Sequence, residues 1–444
     1  MNAYDEPSTL YRPFFSNTWQ RTSLYTLARW TNGLAFRDIQ FTSVGKPVIK
    51  IAELKAGVIG QTKFTQQTFA PEYHVTSGDM LFSWSGNPDT SIDVFWWRGP
   101  DGWLNQHIFK VEPIEGIDKV YFYYLLKYLG PNFAEIARNK QTTGLGHVTI
   151  RDLKELTVAV PPLSEQHNIA SVLGALDEKI ELNRHINSTV EAIGQSIFKS
   201  WFMHFNPVRA RVEGRKSQGM DTATAALFPS SFQDSDIGEI PAGWQVVTLP
   251  EAFEVNPLRS LPQGAAVPYL EMSNMPDASA RALAWYDRPF TSGMKFMNGD
   301  VLVARITPCL ENGKTAFVDF LDRGQVGWGS TEYIVLRSRP PLPLEYAYFL
   351  ARSEHFRSYA IRSMTGSSGR QRVQIGSLNN YQLVVPSAEV AQAFEAIVAP
   401  IMPYIKQSDF ESNTLAAIRD TLLPKLITGQ VLVKGAEDLG PEAA

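Results

Sequence analysis

The sequence predicts a mixed α/β chain of the α+β kind, built from two copies of one plan, each a globular front closed by a long helix. Three observations predict it. The chain repeats itself at an interval of 225 residues. The front of each copy alternates short β-like runs with Gly, Asn and Asp turns. The back of each copy starts at a proline and continues as an apolar stripe at spacings of three and four.

The repeat sets the organisation. Sliding the chain by 225 positions sets Gly144 on Gly369, Val148 on Val373, Ile150 on Ile375 and Leu153 on Leu378. Pro161 then falls on Pro386, Ile180 on Ile405, and Thr189, Ala192 and Ile193 on Thr414, Ala417 and Ile418. Upstream the match needs a small shift: SGDMLFS at 77–83 resembles NGDVLVA at 298–304. The expected division is a first front over 1–160, its helix over 161–205, and a polar linker over 206–240. A second front then covers 241–385, its helix 386–432, and a flexible acidic tail 433–444.

Composition agrees with two sizeable cores. At 444 residues, with 44% hydrophobic and 11% aromatic content, the chain exceeds one ordinary domain. Net charge is −4, which excludes bulk attraction to nucleic acid but not a local basic groove. One cysteine, Cys309, permits no internal disulfide and suits a reducing cytosol. The seven His are scattered without metal-ligand spacing. No apolar run reaches membrane-spanning length, and MNAYDEPSTLYRPFF lacks the plan of a secretory signal.

The first long helix follows Pro161 and Pro162, with Ser164 as expected N-cap. Its stripe is Ile169, Leu173, Leu176, Ile180, Val190, Ile193, Ile197 and Trp201, interrupted by Asn183 and Asn187. An Asn on such a seam fixes register at a cost in stability. The second stripe is Phe394, Ile397, Ile401, Ile405, Leu415, Ile418 and Leu422, with Ser408 and Ser412 in the place of the Asn pair. Pro400 and Pro403 must kink or break its first turns. A lone helix with one apolar stripe is marginal in water, so the two are expected to pack on each other, antiparallel if the halves share a pseudo-twofold.

These residues resemble a known family. VAVPPLSEQHNIASVLGALDEKIELN resembles the central region of the specificity (S) subunits of type I restriction–modification systems. NNYQLVVPSAE and TLAAIRDTLLPKLITGQVLV resemble their distal region, IGEIPAGW at 237–244 their second-domain junction, and ARITPCLENGKTAFV at 304–318 a stretch of their recognition domains. The resemblance implies two pseudo-symmetric target-recognition domains, separated by a pair of long antiparallel coiled-coil helices and each reading half of a split double-stranded DNA target. It implies that the helices dock two methyltransferase (M) subunits, with restriction (R) subunits joining in some systems. It implies no catalysis and no cofactor in this chain. S-adenosylmethionine would belong to the M subunits, and ATP and magnesium to the R subunits. Such a complex works on DNA in the prokaryotic cytosol.

The residues are compatible with a non-catalytic DNA reader. NPDT, NPVR and NPLR lack the second Pro and aromatic of an adenine methyltransferase, and no Gly-rich loop ends in Lys-Ser/Thr. The best basic cluster in the second copy, ARSEHFRSYAIRSMTGSSGRQR, offers Arg362, Ser367, Ser368, Arg370, Gln371 and Arg372. Its counterpart, ARNKQTTGLGHVTIRD, offers Arg138, Lys140, Thr142, Thr143, His147, Thr149 and Arg151. Both combine a helix end, a Gly-rich loop and a return strand, so backbone N–H groups can meet phosphates while Arg and Gln reach bases. Ser83, Trp84 and Asn87 in the first copy, and Arg305, Thr307 and Lys314 in the second, are further candidates for DNA contact or fold support. The plain alternative for the loops is a solvated helix face and an ordinary turn. Two other readings stay open: a methylation-only system, and an enzyme with its site between the two domains.

Overall fold

The computed structural model describes residues 15–16, 18–36, 39–141, 144–367 and 369–433. The chain divides into two compact units, Met1–Ile180 with Asn413–Ala444, and Glu181–Ser412. The division falls inside both long helices, so each unit holds one front and part of each helix.

In the first unit, a four-stranded antiparallel sheet runs in the order Ala28–Asn32, Ile108–Pro113, Met80–Ser83, Asp93–Trp96. Met80–Ser83 is buried along its whole length. Side chains alternate across a strand, and here both faces are covered. Met80 and Phe82 pack with Phe122, Leu125 and Phe133 of the helices Lys119–Tyr128 and Gly130–Asn139. Leu81 packs with Ile49, Val75 and Leu104 of a second sheet. That sheet has the order Phe64–Thr65, Lys46–Ile49, Gly102–Leu104, His74–Val75, with one parallel step where Val48 faces Trp103. Asp118 starts the first helix by accepting from the N–H groups of Val120 and Tyr121 at 2.9 and 2.8 Å.

The second unit repeats this plan. Its first sheet is Phe253–Val255, Tyr333–Ser338, Val301–Ala304, Thr315–Phe317. Its second is Tyr286–Pro289, Ala266–Leu270, Gly327–Gly329, Met294–Phe296, with the same parallel step at Tyr269 and Trp328. Val301 and Val303 join the helix-covered core and Leu302 the other. In both units the Gly-Asp turn before the central strand is built alike. Gly78 and Gly299 take positive φ, and Asp79 and Asp300 accept backbone N–H bonds of 2.8 Å from Thr76 and Met297.

The first long helix spans Leu163–Phe198 and runs on as a π-turn over Lys199–Met203. It begins at Leu163, so Ser164 lies inside its first turn and is not the cap. The distal segment is two helices, Ala388–Val398 and Ile401–Ile427, parted at Ala399 and Pro400. Pro403 is tolerated because it sits in the first turn, where backbone N–H groups lack helical partners anyway. Segment 206–240, expected as a linker, carries the helices Asn206–Val212 and Thr222–Ala226 and buries Val208 and Phe228 in the second unit's core.

The stripes are met at most positions and displaced at three. Ile169, Leu173 and Ile180 are buried, as are Ile401 and Ile405. Leu176, Val190, Ile197, Leu415 and Leu422 are half-buried. Ile193, Ile397 and Ile418, placed on the seams by sequence, are 52%, 39% and 43% exposed, and Val398 is buried in place of Ile397. The inward slot beside Ile193 belongs to Gly194, where an added Cβ would lie 2.6 Å from Phe349 and 3.0 Å from Ile401. The slot beside Ile418 belongs to Arg419, which ion-pairs with Asp177 at 2.5 Å. In the second unit the polar interruptions meet. Asn183 donates to Glu411 and Ser412 at 2.8 and 3.2 Å, and Asn187 to Asp409 at 3.0 Å. In this unit, partners on the second segment descend in number as those on the first ascend.

Phe198 is fully buried against Phe202, Tyr346, Phe349 and Phe394. Phe198→Ala is expected to destabilise by about 3–5 kcal/mol, and Ile193→Ala to stay within about 0.5 kcal/mol of the parent. Urea unfolding midpoints check both, and equal losses would restore Ile193 to the seam.

Candidate nucleic-acid interface

In each unit the doubly buried strand leaves its sheet and is met by the strand that returns from the basic loop. In the first unit, Ser85–Gly86 pairs with Gly146–His147, and Val148 N–H donates to Trp84 O at 2.8 Å. In the second, Val373 N–H donates to Arg305 O at 2.8 Å, Thr307 N–H donates to Gln371 O at 3.0 Å, and Ile306 bridges Arg372. Val148 and Val373 are repeat counterparts, and so are Trp84 and Arg305. Two candidate groups about 60 residues apart in sequence are thus joined by the same backbone bond in both units.

The side chains of the first unit are mostly partnered. Trp84 Nε1–H donates to Asn32 Oδ1 at 3.0 Å, and its ring stacks on Phe109. Asn87 is exposed and holds a turn, its Oδ1 accepting from Asp89 N–H at 2.9 Å. Arg138 ion-pairs with Asp89, Lys140 with Asp152, and Arg151 with Glu155 at 2.7 Å. Thr149 caps the helix Ile150–Glu155 in a reciprocal pair with Asp152. His147 is half-buried in the return strand. Ser83 is a correction: it ends a strand covered on both faces and is fully buried, so it has no surface to offer DNA. Thr142 and Thr143 lie outside the described residues.

In the second unit, Glu332 gathers two arginines. Its carboxylate accepts from Arg305 Nε at 3.2 Å and Arg372 Nε at 2.8 Å. Arg305 N–H also donates to Glu332 O at 3.0 Å. Lys314 Nζ donates to Met275 O at 2.7 Å and lies 3.5 Å from Asp277. Thr307 and Gln371 are half-buried, with their backbones joined as above. Ser367, Arg362 and Arg370 are exposed, and neither arginine has an ion-pair partner among the described residues. Ser368 lies outside the described residues. Burial pushes the Cys309 thiol up, which disfavours the thiolate.

Sequence reasoning missed the acidic partners. The Asp152 cap is legible as Thr-x-x-Asp before an apolar residue. Asp89 and Glu332 carry no local signal, because they reach the loops only through the tertiary fold. Among the described residues no group of three or more His, Cys, Asp or Glu side chains is placed to hold a metal ion. No described helix is long and apolar enough to cross a membrane.

Asp152 supplies a pH signature. Burial alone would raise its pKa, but hydrogen bonds from Lys140 and Thr149 outweigh this and hold its carboxyl below the usual range. A depressed folded pKa adds stability that is fully present above the unfolded value, about 3.9, and is lost as pH falls through the lower folded value. Asp152→Asn should therefore melt at a lower temperature than the parent near neutrality, and the gap should close at acid pH. Melting curves across pH check this, and a pH-independent gap would contradict it.

Residues 17–192 match a family model described as the type I restriction modification DNA specificity domain. The HindI specificity subunit of Haemophilus influenzae is 22% identical over 406 residues, covering 80% of this chain and 87% of that protein. The putative MjaX specificity subunit of Methanocaldococcus jannaschii is 22% identical over 424 residues, 91% of each chain. The EcoEI specificity subunit of Escherichia coli is 28% identical over 215 residues, 47% of this chain and 36% of that one. The solved S subunit of M. genitalium aligns with a TM-score of 0.53 at 15% identity, over 95% of this chain and 98% of that one, and shares the fold. The resemblance drawn from the paired helix regions is met: residues 17–192 match the type I DNA specificity domain, and the chain is similar along most of its length to type I restriction–modification specificity subunits.

Proposed function

We propose that this chain is the DNA-specificity subunit of a type I restriction–modification complex, with no catalytic role of its own. It reads a bipartite target through one loop cluster in each unit. The observation that carries the reading is the recurrence of one closure, Val148 on Trp84 and Val373 on Arg305, beside a basic loop in both units. A fold needs such a closure once per unit. Its coincidence with Arg138, Lys140 and Arg151 in one unit, and Arg362, Arg370 and Arg372 in the other, supplies what DNA binding adds.

In this reading the long helices form an antiparallel coiled coil separating two pseudo-symmetric recognition domains. The pairing order of Asn183 and Asn187 with Glu411 and Asp409 supports it, as does the shared strand order of the two units. Two M subunits dock on the helices and supply S-adenosylmethionine. R subunits, where present, bring ATP and magnesium, and the complex acts in the cytosol. Ile193 and Ile418, repeat counterparts that both turn outward, fit a docking face better than a packing seam.

Adenine-methylation mapping of a host genome with and without the gene tests the reading. Loss of methylation at one split motif is expected, and an unchanged map would overturn it. At the residue level, Arg362→Ala with Arg370→Ala should weaken DNA binding and flatten its dependence on salt. Each lost phosphate contact removes about 0.9 from the slope of log K against log salt. Binding isotherms at several salt concentrations check this, and an unchanged slope would remove both arginines from the phosphate set.

A further inference from the structure

We propose that Asn32 is a base-reading residue of the first unit that recognises an adenine in the major groove, with Trp84 as the residue that positions it. The assignment rests on the DNA-reading function proposed above. Asn32 ends the strand Ala28–Asn32, opposite Phe109, and is exposed. It lies at the closure of the first unit. Trp84, whose carbonyl accepts the Val148 N–H at 2.8 Å, donates its indole Nε1–H to Asn32 Oδ1 at 3.0 Å. The strand that leads to Val148 lies against the basic helix end: a Cβ at Gly146 would sit 2.3 Å from Ala137 O, and Arg138 is the next residue.

The second unit fills the same frame with different groups. There Arg305 N–H donates to Glu332 O at 3.0 Å, as Trp84 N–H donates to His107 O at 3.2 Å, so Trp84 and His107 hold the places of Arg305 and Glu332. His147 holds the place of Arg372, 225 residues on. One carboxylate and two guanidiniums are thus replaced by two imidazoles and an indole. Strand register completes the comparison. Trp30 lies opposite Val111 and Val255 opposite Leu336, which sets Asn32 on Pro257. A proline side chain neither donates nor accepts, so the carboxamide belongs to the first unit alone.

The Trp84 bond fixes what Asn32 can read. An Asn carboxamide carries an oxygen with two lone pairs and a nitrogen with two N–H donors. Trp84 takes one lone pair, and this sets which end of the amide is oxygen. The second lone pair and the Nδ2 donors, which have no partner among the described residues, are left side by side. Among the four bases, adenine presents the complementary pair on its own major-groove edge, the N7 acceptor beside the N6 donor. Trp84 is itself held, because its ring stacks at 5.8 Å on the buried Phe109. The core of the unit thus orients the amide before DNA arrives, which lowers the side-chain ordering that binding must cost.

The test uses the full chain in its assembled complex. Adenine-methylation mapping in a host carrying the wild-type chain gives the split motif. Asn32 is exposed at a strand end, so Asn32→Ala should fold. In this variant methylation should persist while the motif relaxes at one A·T pair of one half, with sites carrying another pair there gaining methylation. Trp84→Phe, which keeps a ring on Phe109 and removes the N–H, should relax the same position. A duplex with 7-deazaadenine at that position keeps the base pair and loses N7. The wild-type complex should bind it about 5-fold or more weakly than the unmodified duplex, as loss of a base contact requires, whereas the Asn32→Ala complex should bind both alike. A motif unchanged in Asn32→Ala, or methylation lost at every site, overturns the assignment of Asn32 while the DNA-reading function stands. A wild-type chain that yields no motif overturns the DNA-reading function, and the assignment with it.

Discussion

The structure of each unit depends on one strand that is buried on both faces. Met80–Ser83 and Val301–Ala304 sit between a pair of helices and a second sheet. A strand so placed cannot carry function on its own side chains, as the burial of Ser83 shows. It can deliver function at the point where it ends. There the next residue, Trp84 or Arg305, has left the sheet but still offers a carbonyl, and the returning loop closes on it at 2.8 Å. The loop is thereby tied to the doubly buried strand of the unit by a backbone bond that does not depend on the loop's side chains. A reader of different DNA sequences needs that division, since rigid support and variable loops would otherwise compete for the same residues.

The repeat made much of this legible from sequence. The Gly-Asp turn, the central strand and the Val before the short helix recur at matched positions, and each recurs in the structure with the same hydrogen bond. The helix stripes were legible to within one residue. They failed at Ile397, where Val398 is buried instead, and at Ile193 and Ile418 because periodicity ranks apolar residues above Gly and Arg. Packing instead chose Gly194, where Phe349 needs the space, and Arg419, where Asp177 supplies a countercharge. The break at Pro400 was legible as a proline, whereas the harmlessness of Pro403 depends on where the new helix starts. The buried residues of 206–240 were hidden by their sparseness: Val208 and Phe228 are isolated apolar residues in a polar segment, and only the fold joins them.

For the candidate interface, residue type was legible and availability was not. Basic residues in a Gly-rich loop look equally free in a sequence. In the fold, Arg138, Lys140 and Arg151 each hold an acidic partner, and Arg305 and Arg372 share Glu332. A shared carboxylate does two things to an arginine. It cancels part of the charge that would draw a phosphate, and it fixes the guanidinium in one orientation, with other donors of the planar fork left over. Partnered arginines therefore suit geometric reading of base edges, where orientation decides. Unpartnered ones such as Arg362 and Arg370 suit the less directional attraction of the backbone. Ion pairing thus divides the basic residues into a fixed and an unpaired set among the described residues, a division that composition alone could not show.

The same logic explains why the two units are alike in frame and unlike at their edges. The parallel step beside Trp103 and Trp328 is identical in register, because both tryptophans fill the same place between a parallel and an antiparallel neighbour. What differs is the edge strand, four residues in one unit and two in the other. An edge strand contributes little to the core but decides which polar groups behind it are satisfied. The four-residue edge places Arg288 O against the Trp328 indole N–H, whereas beside the two-residue edge the buried Trp103 N–H has no partner among the described residues. A duplicated fold can therefore diverge through its edges while the buried strands keep one register.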